Sequence, residues 1–210
     1  MIKRLIALAV TFAFTVPAMA ATLQLDFDYD FSNPLDLDSQ VPDGPSPWAT
    51  ALFEDAGLNT VNLTFTVGAN EVTAVYLNSD IGGLSFTTLD DSAVSGSSIT
   101  YTSNGYQAGS DGEFDILIDL PPPGGDRLTA GESVYYQITG AGLTASSFNS
   151  WSNPTEESVT GPFMGAAKFQ STGLEGEQSA WIAAVPVPAA VWLFGSALAG
   201  LGFARRRKMA

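Results

Sequence analysis

The sequence predicts an all-β fold: an antiparallel β-sandwich of jelly-roll-like form, with a cleaved signal helix before it and a separate membrane-spanning helix after it. Three observations carry this. Apolar and polar side chains alternate along short segments, which is the period of a half-buried strand. Clusters of Gly, Asn, Ser and Pro recur between those segments. The long runs that are both apolar and charge-free are confined to the two ends of the 210 residues.

Residues 1–20 read as a signal peptide. Lys3 and Arg4 form the positive region and residues 5–16 the apolar one, and Ala18 and Ala20 are the small residues a signal peptidase requires before a cut at Ala21. The first strand follows. Leu23, Leu25, Phe27 and Tyr29 share one face, while Gln24, Asp26, Asp28 and Asp30 share the other. Residues 49–58 are expected to hold one or two helical turns. Val61, Leu63, Phe65 and Val67 alternate again, and Gly68-Ala69-Asn70 reads as a hairpin turn into a strand at 71–77. Further strands are expected at 84–89, 98–102, 114–120, 133–139, 166–171 and 179–184. The last two flank Gly173-Leu174-Glu175-Gly176, a second hairpin signal.

Pro121-Pro122-Pro123-Gly124-Gly125 lacks three amide donors and is a loop within the domain. No repeat of 20–50 residues occurs. Residues 21–184 therefore form one β-sandwich domain, long enough to bury a substantial core.

Charge and composition exclude whole classes of function. All 22 Asp and Glu lie between residues 26 and 177, where only Arg127 and Lys168 oppose them, so this stretch carries a net −20. Such a surface repels nucleic acid. Cysteine and histidine are both absent. This removes disulfides, thiolate nucleophiles, Cys or His metal sites and every Ser-His-acid triad. No G-x-S-x-G elbow and no distinct acid pair occurs either, so the domain is not expected to be an enzyme.

Two binding chemistries remain. The acidic residues offer hard oxygen ligands, and calcium is the one cofactor to expect if any is bound. Asp26, Asp28 and Asp30 share a strand face at ~6.8 Å intervals, too far apart to hold one ion alone. Asp111, Glu113 and Asp115, around Gly112, are the better candidate ligands; the competing reading is a solvated acidic face. Trp48, Trp151 and Trp181, with Tyr101 and Tyr106, could form a stacking platform for a glycan, or could fill the core. The alternative functions are thus a carbohydrate-binding module or a calcium-dependent adhesion module.

Residues 185–210 form a tail of three parts. Val185-Pro186-Val187-Pro188-Ala189 precedes a charge-free run at 189–204, closed by Arg205-Arg206-Arg207-Lys208. Sixteen helical residues span roughly 24 Å, a little short of a ~30 Å bilayer core, and the terminal cations would stop the helix on the cytoplasmic side. Pro186 and Pro188 belong before that helix or in its first turn.

The motif at 185–196, followed by Gly200-Leu201-Gly202 and Arg205-Arg206-Arg207, resembles the PEP-CTERM class of sorting signals, and most nearly its VPLPA-CTERM variant. Val187 stands where the family has Glu or Leu. The resemblance implies a substrate of an exosortase-type membrane transpeptidase. Such a protein is anchored transiently in the inner membrane, then cut near the Pro-rich motif and moved to the cell surface or extracellular matrix of a Gram-negative bacterium. The implied setting is exopolysaccharide and biofilm production, with exopolysaccharide as a partner. Residues 114–119, 130–134, 140–144 and 179–182 also resemble a passenger region recurrent on such tails, which implies no particular activity.

Overall fold

The computed structural model describes residues 20–32, 41–94, 96–109, 111–120, 127–155, 160–173 and 178–185. The expected signal helix, the tail helix at 189–204 and the Pro121–Gly125 loop lie outside these. Among the described residues there are eleven strands: β1 (Thr22–Asp30), β2 (Ala49–Gly57), β3 (Thr60–Val67), β4 (Glu71–Leu77), β5 (Ser85–Asp90), β6 (Ser98–Gln107), β7 (Glu113–Asp119), β8 (Leu128–Thr129), β9 (Ser133–Thr139), β10 (Gly165–Thr172) and β11 (Gln178–Ala184). One 3-10 turn, Ala145–Phe148, is the only helical element among the described residues, and no described helix is long and apolar enough to cross a membrane.

The fold is all-β and antiparallel, as the alternation requires, but the strands form one sheet and not two. Its order is β5-β9-β3-β2-β1-β11-β10-β4-β7-β6, with β8 added on β4. The reason lies in β1. Residues 22–27 pair with β2, and from Phe27 onward the strand pairs with β11, with a register slip between Phe27 and Tyr29. A slip of this kind bends a strand and lets one hydrogen-bonded ladder turn a corner. It also re-aims side chains. Tyr29, grouped by alternation with Leu25 and Phe27, is instead exposed and meets Phe163 at 5.9 Å.

The sheet is nearly closed around its core. β5 and β6 end the strand order without pairing each other. Side chains close that gap: Phe86 from β5, with Ile99 and Tyr101 from β6, packs against the core, and Val94 of the connecting loop is fully buried. Tyr136 donates to Ser97 Oγ at 2.9 Å, and Ser97 donates in turn to Asp91 at 3.1 Å, so the loop is tied down over the core. Burial raises the pKa of the Tyr136 hydroxyl. Inside, Phe27 meets Phe65 edge-on at 5.7 Å, and Phe148 of the 3-10 turn stacks on Phe53 at 4.1 Å. Each such ring removed from water stabilises the fold by roughly 1.5–3 kcal/mol.

Two local expectations are corrected. Residues 49–57, expected as helix within 49–58, are strand. Ala49, Ala51 and Phe53 all point into the core, and pairing with β1 and β3 overrides the helix preference of Ala, Leu and Glu. The tight hairpin is therefore β2–β3, turning at Leu58-Asn59 with Asn59 at φ 58. Gly68-Ala69-Asn70 does not close a hairpin, because β3 pairs with β2 and β9 while β4 pairs with β10, β7 and β8. It carries the chain across the core instead. Asn70, at φ 52, anchors the crossing: its amide donates to the Ser171 carbonyl at 2.8 Å and to Asp43 at 3.1 Å, and its oxygen accepts from the Asp43 amide at 2.7 Å.

Candidate sorting junction and an aromatic sheet face

The junction between domain and tail is set by β11. This strand is interior, paired along β10 on one side and β1 on the other, and the Ala184 carbonyl accepts a further bond from the Met164 amide at 3.1 Å. Val185 follows immediately, half-buried against a second apolar cluster of Phe31, Ala108, Phe114, Phe163, Ala166 and Ala183. There is no spacer: the last ordered core strand ends at Ala184, and Pro186 is two residues on. Pro186, Val187, Pro188 and Ala189, and the cations Arg205, Arg206, Arg207 and Lys208, lie outside the described residues. At the other end, Ala20 and Ala21 are exposed and Ala18 is not described. The Ala21 carbonyl already accepts from the Asp55 amide at 3.0 Å, so the ladder of the domain begins at the expected cleavage point.

The second cluster lies on the outer face of the sheet. Ala166, Tyr76 and Leu117 are register partners across β10, β4 and β7, and Lys168, Ala74 and Asp119 form the adjacent row. Trp181 pairs with Lys168, whose ammonium stands 5.5 Å over the indole. The Trp181 ring meets Tyr76 at 5.7 Å and Phe31 at 6.0 Å, and Tyr76 meets Phe114 at 5.8 Å. Burial first, and the charge of Asp119 second, push the Tyr76 hydroxyl above its ordinary pKa. Trp181, Tyr76 and Lys168 all remain partly accessible.

The three tryptophans singled out by sequence occupy three environments. Trp48 is half-buried against the main core, its indole donating to the Gly44 carbonyl at 3.2 Å. Trp151 is 52% exposed in the chain before β10. Trp181 alone takes part in a ring array. Tyr76 and Lys168 were not singled out with it. The Lys168–Trp181 pairing was readable, since a hairpin turning at 173–176 puts those residues opposite each other. Placing Tyr76 beside them requires the non-local β4–β10 pairing, which no local pattern signals.

The acidic residues around Gly112 are engaged by the protein's own donors. Asp111, 5% exposed, accepts from the Thr160 amide at 3.3 Å and its hydroxyl at 3.0 Å. Asp115 takes the amides of Ser79 at 3.2 Å and Asn104 at 2.8 Å, and Glu113 pairs with Asn153. No group of three or more acidic side chains that could hold a metal occurs among the described residues. Gly112 has its own reason: at φ 98, a β-carbon there would come within 2.7 Å of Ser152 Oγ.

An acidic β-domain whose interior final strand is followed in sequence by a Pro-flanked, apolar, basic tail has the layout of a passenger joined to an address. Comparison with family models finds the PEP-CTERM protein-sorting motif at residues 184–208. The chain is thus an exported protein, membrane-anchored before processing by an exosortase-type enzyme. No curated protein and no solved structure matches it.

Proposed function

We propose that this protein is a structural component of the cell surface or extracellular matrix, delivered by signal peptidase and then by an exosortase-type transpeptidase, and acting without catalysis in an exopolysaccharide or biofilm setting. The observation that carries this reading is the direct join of β11 to the matched sorting motif. The address follows the last strand of the folded domain directly in sequence, which supports the domain itself as the cargo. Its lack of His and Cys and its occupied carboxylates around Gly112 support a role in presence and contact over one in turnover. Its net −20 between residues 26 and 177 keeps it soluble once released.

The test is the intact mass of the protein recovered from the outer surface and medium of its native host. A mass running from Ala21 to a terminus near residues 186–189 is expected. A mass retaining residues 205–210 would overturn release by a sorting enzyme.

A further inference from the structure

We propose that the outer sheet face carrying Trp181 and Tyr76 binds an uncharged polysaccharide, one sugar ring stacking on the Trp181 indole with Lys168 holding its hydroxyls, and a neighbouring sugar of the same polymer meeting Asp119, three strands from Trp181. This stands on the sheet face and is independent of the sorting tail.

The face has the parts such a ligand needs. Two aromatic rings meet at 5.7 Å with their planes tilted by 52°, held by register on β11 and β4, so their orientation is fixed before any ligand arrives. The apolar C–H face of a pyranose packs on such rings, while its edge requires separate donors and acceptors. Lys168 and Asp119 supply one of each. They stand on either side of the buried Ala74, two strand spacings (~9.6 Å) apart.

Lys168 makes no salt bridge among the described residues, whereas Arg127 is paired with Glu71. The Lys168 ammonium covers the indole on a flexible stem, at 5.5 Å. A sugar arriving on that face displaces it sideways and receives it as a hydrogen-bond donor.

Charge selects the class of polymer. With 22 carboxylates against two cations between residues 26 and 177, a polyuronate is repelled at every distance shorter than the Debye length. A protein partner is less well suited. The rings are half-buried and form no broad apolar patch, while a stable protein interface takes roughly 800 Å² from each side.

The experiment titrates the full chain, held in a non-glycosidic detergent, with three neutral hexasaccharides (β-1,4-glucose, β-1,4-mannose, β-1,4-N-acetylglucosamine) and one hexauronate. Saturable binding of at least one neutral sugar is expected, with the hexauronate at least ten-fold weaker. Trp181→Ala should weaken binding ten-fold or more, Trp181→Tyr should retain most of it, and Trp151→Ala should leave it unchanged. Lys168→Gln and Asp119→Asn, both surface changes, keep the test valid if Trp181→Ala fails to fold; each should weaken binding about three-fold or more. Absence of saturable binding by all three neutral sugars, equal loss in Trp151→Ala, or equal binding of the hexauronate would each overturn the proposal. None of these outcomes bears on how the tail is processed.

Discussion

Single residues decide how the sheet is finished. Tyr136 closes the gap between β5 and β6 through Ser97 and Asp91, and its ring is wholly buried. Tyr136→Phe keeps the ring and deletes one hydrogen bond, so urea denaturation should show a loss of about 1 kcal/mol with an unchanged m-value. Asp28 has the opposite sign of importance. Burial first, and its neighbour Asp26 second, raise its carboxyl pKa. The folded state therefore holds that proton more tightly than the unfolded chain. The resulting stabilisation is complete below the ordinary carboxylate range and is lost as pH rises through the folded pKa. Asp28→Asn removes the charged form, so its melting temperature should exceed the wild type's at neutral pH. That advantage should vanish in strong acid, and an advantage that persists there would refute the assignment.

Elements were legible in the sequence where they are local. The alternation of β3 translates residue for residue into buried and half-buried positions, and the β10–β11 hairpin stands where its glycine turn marks it. β2 was hidden because its Ala, Leu and Glu favour helix, and only its two flanking strands make it a strand. The role of Asn70 was hidden for a related reason: a Gly/Asn turn looks alike whether it closes a hairpin or crosses a core. Asn70→Ala should destabilise by about 2 kcal/mol, losing both the side-chain bonds and an easy positive φ. Asn70→Gly, which restores only the backbone freedom, should recover part of that loss in thermal unfolding. Of the candidate sites, the sorting motif was legible because it is contiguous. The outer aromatic face was not, since its rings come from residues 76 and 181.

For the whole molecule, charge and topology set behaviour. Twenty net negative charges between residues 26 and 177 repel one another, and salt screens that repulsion. The melting temperature should therefore rise between low and moderate ionic strength. Calcium chloride should add nothing beyond sodium chloride of equal ionic strength, because Asp111, Glu113 and Asp115 are already satisfied by protein donors. A calcium-specific rise would support those three residues as ligands.

The interior position of β11 has a mechanical meaning. A pull on the tail enters the domain through a strand gripped on both sides, by β1 and by β10. Peeling from an edge would break one ladder at a time, but this strand cannot leave without opening two. The handle by which the protein is carried is thus fastened to the middle of the sheet, where unravelling from the end is hardest.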